Sequence, residues 1–160
     1  MARTRAKTNS TLSAGKQLAI FIDKFDPKIA QLVRATRSAL RKRLPTAIEQ
    51  VYDNFNFLAI GFCTTERTSD CICSIAASAK GVALSFYHGA TLPDPERILL
   101  GSGNQNRYVR LSSASNVTTP AVEALICAAI AQANSPLPPS GRGCTVIKSV
   151  SAKQRPRRLD

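Results

Sequence analysis

Two spacings of apolar residues divide this chain. Leu18, Ile20, Phe21, Ile22 and Phe25 form a short apolar cluster of helical character, and Asp26-Pro27 follows as an N-cap with proline at the first helical position. From there Ile29, Leu32, Val33, Thr36, Leu40 and Leu44 recur every three or four residues until Pro45, which predicts a helix from 27 to about 43 with that stripe turned to a core. Beyond Pro45 the character changes. Val51-Tyr52 and residues 55–62, 71–78 and 82–87 are rich in aromatic and branched side chains and are separated by polar turns, so they read as antiparallel strands. Ala79-Lys80-Gly81 joins the last two as a hairpin.

Past the loop at 91–95, residues 96–100 read as a helical turn ending in Gly101-Ser102-Gly103, and 107–111 as another strand. Thr119-Pro120 repeats the cap-then-proline start, and Val122, Leu125, Ile126, Ala129 and Ile130 predict a closing helix to about 134. Residues 145–150 have the β propensity of an edge strand. Strands grouped between helices, without alternation of the two, predict an α+β domain: two layers, an antiparallel sheet packed by N-terminal and C-terminal helices. The domain is expected over 15–150. Small, polar and basic residues predict a disordered arm over 1–14, and a disordered basic tail is expected over 151–160.

Composition supports this division. At 160 residues, 44% hydrophobic and 20% charged, the chain has enough apolar material for one real core. Its longest apolar stretch, 121–131, is interrupted by Glu123 and too short to span a bilayer, so no membrane partner is expected. The basic N-terminus lacks the apolar segment of a secretion signal, and five cysteines are an odd number in a chain that can fold without them. Reduced thiols in a cytoplasmic protein are the expectation. The abnormal total is charge. Of the net +12, half sits on the two ends, carried by Arg3, Arg5 and Lys7 and by Lys153, Arg155, Arg157 and Arg158 against Asp160.

Few residues offer catalytic chemistry. His88 is the single histidine, which removes a nucleophile-histidine pair unless His88 itself is the base; at a strand end it reads as a turn cap or a partner for Tyr108. Cys71-Ile72-Cys73 would place two thiols on one strand face, but zinc sites want a second pair, so no metal or other cofactor is expected. Arg34, Arg37 and Arg41 form a stripe along the long helix, and with Arg155, Arg157 and Arg158 of the tail they make phosphate contacts to nucleic acid the alternative reading. Gly101, Gly103 and Arg107 suggest an anion-binding turn with a guanidinium to complete it.

Three segments carry a resemblance: Glu49-Gln50-Val51-Tyr52, then Gly81-Val82-Ala83-Leu84-Ser85-Phe86-Tyr87-His88-Gly89, then Leu100-Gly101-Ser102-Gly103 with Arg107-Tyr108-Val109-Arg110-Leu111. In order and spacing the chain resembles the YdhG-like domain-of-unknown-function family over about 18–130. The resemblance implies a frataxin-like fold and makes an iron chaperone the family's best-known functional suggestion. Where that family usually carries a lysine in the glycine loop, this chain has Asn104. Iron handling wants clustered carboxylates, whereas Asp23 and Asp26 here stand among Lys24, Lys28 and Arg34. The leading expectation is a non-enzymatic binding domain for a small anionic ligand, held around Tyr52, His88, Gly101, Gly103 and Arg107.

Overall fold

The computed structural model describes residues 12–159. The arm predicted over 1–14 lies outside the described residues up to position 11; Ser13 already caps a helix, its side chain accepting from Lys16 N. That helix, α1 (Ala14–Asp23), is followed by α2 (Pro27–Arg43), which starts at the predicted Asp26-Pro27 boundary. Ala30, Val33, Thr36 and Leu40 make up the buried stripe of α2. The strands are β1 (Ile48–Asp53), β2 (Leu58–Cys63), β3 (Cys71–Ser78), β4 (Gly81–Phe86) and β5 (Arg107–Leu111), then helix α3 (Pro120–Ala131) and strand β6 (Thr145–Val150).

The class is α+β, with a single sheet in the order β5-β4-β3-β2-β1-β6. Its first five strands are antiparallel neighbours, but β6 lies parallel to β1, so the sheet is mixed and not the antiparallel one predicted. The reason is the long return through α3, which brings the chain back along the outside of β1 instead of reversing it in a hairpin. Residues 96–100 are not a helical turn either. Both Asp94 carboxylate oxygens accept from the amides of Ile98 and Leu99 (3.0 and 2.9 Å), Arg97 takes a positive φ of 55°, and Leu100 bridges to Tyr108.

One face of the sheet carries the core. Val51, Leu58, Ile60, Phe62, Ile75, Leu84 and Phe86 alternate inward along their strands and meet Leu18, Ile22, Phe25, Val33, Leu40, Leu125 and Ile126 of the helices. Two carboxylates share that buried face. Glu49 and Asp53 flank Val51 on β1 and are 1% and 0% exposed. Glu49 accepts from Arg37 Nε (2.7 Å), Arg37 Nη2 (2.9 Å), Arg41 Nη1 (2.6 Å) and Thr145 Oγ1 (2.7 Å), tying α2, β1 and β6 together. Asp53 accepts from Lys24 Nζ (2.8 Å) and Arg157 Nη2 (2.9 Å).

The second pair corrects the predicted disordered tail, since residues 151–159 run back over the end of β1. Arg157 is 5% exposed and its guanidinium lies 5.7 Å from the Phe25 ring; Ser151 N donates to Asp53 O, and Arg155 N to Phe55 O. A buried carboxylate needs cations, and the tail supplies the buried one of the two that meet Asp53. Breaking a buried ion pair costs about 3–5 kcal/mol. A chain ending at Val150 should therefore lose stability of that order, read as a fall in urea midpoint; a midpoint equal to the full chain's would show that the tail merely rests there.

Candidate functional site

The face of the sheet opposite the helices bears no element of the described residues, and its side chains form two rows. Strand register sets Tyr52 beside Ala59, Ala59 beside Ala76, Ala76 beside Ala83 and Ala83 beside Arg110. One step along the strands the same pairing links Gln50, Gly61, Ser74, Ser85 and Tyr108. Each row begins on β1 with a long side chain, crosses three strands on alanine, glycine or serine, and ends on β5 with another long one. At ~4.8 Å per strand the walls stand roughly 19 Å apart. The result is a trough of about 630 Å³ with a largely apolar lining.

Its ends differ. Phe57 and Lys80 stand at the end where β3 turns into β4, with Arg110 further along on β5 opposite Ala83, while Cys63, Cys71, Thr68 and Tyr87 stand at the other. Tyr52 is held upright by hydrogen bonds of its hydroxyl with Gln50 Oε1 (3.1 Å) and Thr68 Oγ1 (2.6 Å). Arg110 lies over the Tyr108 ring at 5.8 Å. Among the described residues neither Lys80 nor Arg110 has an ion-pair partner, so the Lys80–Arg110 end carries free positive charge.

The residues expected to share one ligand cleft are scattered. Only Tyr52 lines the trough. His88 lines a separate cavity of about 290 Å³ with Ser69, Thr91 and Gln132; its Nε2 pairs with Ser69 O (3.0 Å), and its ring packs edge-on against Tyr87 at 4.7 Å, not against Tyr108. Arg107 is turned into its own loop, where Nη1 donates to the carbonyls of Gly103 and Asn106. Its side chain also abuts Gly89, where a Cβ would stand 2.6 Å from Arg107 Cβ, so glycine is required there. Gly101 and Gly103 thus form a loop closed by its own arginine, with Gly101 at φ +111°. A guanidinium spent on carbonyls does not complete an anion nest.

The arginines of the alternative reading are mostly engaged as well. Arg34 pairs with Asp23, Arg37 and Arg41 hold Glu49, and Arg157 holds Asp53. Arg155 stacks on Phe55 at 5.5 Å and Arg158 donates to Lys24 O. A cavity of about 650 Å³ nevertheless opens beside α2, lined by Arg34, Arg37, Ser38, Arg41, Lys42 and Arg142 with Pro45. Cys71 and Cys73 part ways: an irregularity in the β2–β3 pairing sets Cys71 opposite Cys63, while Cys73 enters the core, where burial pushes its thiol up to about 12. Among the described residues no group of three or more His, Cys, Asp or Glu side chains is placed to hold a metal, and no helix is long and apolar enough to cross a membrane.

The trough was missed because its floor residues are individually unremarkable. The available signal was the partner in each alternation: Ile75, Ala77, Val82, Leu84 and Phe86 alternate with Ser74, Ala76, Ser78, Ala83 and Ser85, whereas a solvated sheet face ordinarily carries larger polar side chains. Comparison with family models, curated proteins and solved structures finds none that matches the chain.

Behind the trough, β1 owes its place to Glu49 and Asp53. Burial alone would raise Glu49, but hydrogen bonds from Arg37 and Thr145 and the charges of Arg37 and Arg41 outweigh it and hold the carboxyl below its ordinary range. Asp53 is lowered in the same way, burial being overcome by Lys24, Gln154 and Arg157. With folded values below the unfolded ones of about 4, this stability is complete above pH ~4 and is lost as pH falls through the folded values. Urea titrations between pH 2 and 7 should show that loss, and Glu49→Gln should be less stable at neutral pH and flatter on the acid side. Parallel acid profiles for the two proteins would refute it.

Proposed function

We propose that the chain is a non-enzymatic binding domain of the YdhG-like type, with the frataxin-like arrangement that the resemblance implies, and that it takes a small anionic ligand in the trough on its open sheet face. The observation that carries this reading is the floor. Alanine and glycine are poor strand formers, and three adjacent strands line them up with serine at paired positions on one face, whereas on the core face the small Ala77 is paired with Leu58 and Val82. Small side chains there leave space and expose backbone between walls that carry Tyr52 and Tyr108. A flat, mostly apolar molecule fits such a floor, and the free charge of Lys80 and Arg110 fits an anionic group at that end. The single histidine, committed to Ser69 O, offers no base to the trough.

Calorimetry with a panel of aryl carboxylates and their neutral amides tests this. The carboxylates are expected to bind more tightly, and Arg110→Gln to weaken them ten- to a hundredfold while sparing the amides, as a lost charge-assisted hydrogen bond of about 1.5–3 kcal/mol requires. Ala76→Leu, at the centre of the floor, should abolish binding of both with little change in melting temperature. Equal affinity in all three proteins would sink the reading.

The cavity beside α2 favours a second reading, contact with nucleic acid phosphates. Lys42 and Arg142 face it without ion-pair partners among the described residues, next to Arg34, Arg37 and Arg41. Fluorescence anisotropy with single-stranded DNA over a salt series should give a log-log slope about 1.4 units shallower for the Lys42→Gln, Arg142→Gln double variant, about 0.7 for each phosphate that is no longer neutralised. An unchanged slope would remove this groove from consideration.

A further inference from the structure

The end of the trough away from Lys80 holds two thiols on neighbouring strands, eight residues apart in sequence. Cys63 ends β2 and Cys71 begins β3, and the two are directly opposed in the antiparallel register. The amide of Thr64 donates to Asp70 O (3.1 Å) while the amide of Cys71 donates to Thr68 O, so the Cys71 amide is not spent on Cys63 and the two cysteines stand as a non-hydrogen-bonded pair. Side chains of such pairs stand closest, with Cα atoms about 4.5 Å apart, inside the range that a disulfide spans. Both sulfurs also lie over one glycine: a Cβ on Gly61 would meet Cys71 Sγ at 3.0 Å and Cys63 Sγ at 3.6 Å. Glycine at 61 leaves the space that the two sulfurs share. Both cysteines line the trough, whereas Cys73 is sealed in the core and Cys127 and Cys144 stand exposed elsewhere.

We propose that Cys63 and Cys71 form a redox-modifiable dithiol, a site that a low-molecular-weight disulfide such as oxidised glutathione converts to a cross-strand disulfide at the end of the trough. Cys71 is half-buried and Cys63 is fully buried, so Cys71 meets the oxidant first. Its thiolate attacks one sulfur of the oxidant, a glutathione thiolate leaves, and a mixed disulfide forms on Cys71. Cys63 then attacks Cys71 Sγ and its proton passes to the departing sulfur, so that the second glutathione leaves as a thiol. The pair loses two electrons and two protons, and one oxidised glutathione becomes two reduced ones. Hydrogen bonding to Cys71 and burial hold the Cys63 thiol well above an ordinary one, so it stays protonated until the mixed disulfide on Cys71 is beside it, while the ammonium of Lys148 acts in the opposite direction. Dithiol and disulfide then give the trough two different ends, one with two small donors and one with a rigid bridge between β2 and β3. The assignment stands apart from the ligand reading, because the covalent product is read directly.

The test uses the full chain with Cys127→Ser and Cys144→Ser, leaving Cys63, Cys71 and Cys73. It is equilibrated in glutathione buffers of rising oxidised fraction, quenched in acid, alkylated under denaturing conditions and weighed. Reducing buffer should give three alkylated thiols. Oxidising buffer should give, as the major species, a chain two hydrogens lighter with one alkylated thiol, and peptide mapping should join Cys63 to Cys71. Adding Cys63→Ala should instead trap one glutathione on Cys71. Three alkylated thiols at every buffer composition, a bridge to Cys73, or no adduct in the Cys63→Ala chain would each overturn the proposal.

Discussion

Glu49 and Asp53 point from one face of β1 into a region closed to water, and the fold is arranged so that neither is left without cations. An unpaired carboxylate in that position would cost several kcal/mol. Each is therefore met by two positive side chains from different parts of the sequence: Arg37 and Arg41 from α2 for Glu49, Lys24 and Arg157 from the two ends of the described chain for Asp53. These pairings fix which helix lies over β1, which strand lies beside it, and where the tail runs. They also account for much of the excess charge. Arginines that read as a surface stripe are in part the counter-charges of a buried strand.

The helices were legible because their signals are local. Asp26-Pro27 and Thr119-Pro120 mark the starts of α2 and α3, and the apolar stripe from Val33 to Leu40 is the one that packs. The α+β class followed from element order alone. What escaped depends on register and on distant partners. Nothing near Arg157 announces Asp53, more than a hundred residues away in the chain, and a run of basic residues reads as solvated until its acid is known. The direction of β6 was equally hidden, since strand propensity carries no information on parallel or antiparallel pairing.

The candidate site divides in the same way. Tyr52 was found because an aromatic in a strand stands out, whereas Ala59, Ala76 and Ala83 acquire meaning only once pairing sets them in line. Glycine and arginine in the loop at 101–107 suggested an anion site, but Arg107 satisfies that loop's own carbonyls. The cysteines repeat the lesson: neighbours at Cys71 and Cys73 are separated by one irregular pairing, and the true neighbours are Cys63 and Cys71.

The return of the tail over β1 has a consequence for how the molecule comes into being. During synthesis the N-terminal helices and the five-stranded meander emerge before β6 and Arg157 exist. Until the chain reaches Thr145, Glu49 lacks that residue's hydroxyl, and until it reaches Arg157, Asp53 has Lys24 alone. The strand that anchors both layers is thus electrostatically incomplete in every nascent intermediate. Closure of this domain waits for residue 157, and a ribosome that stalls short of it leaves behind a body in which a half-exposed lysine alone answers the buried Asp53.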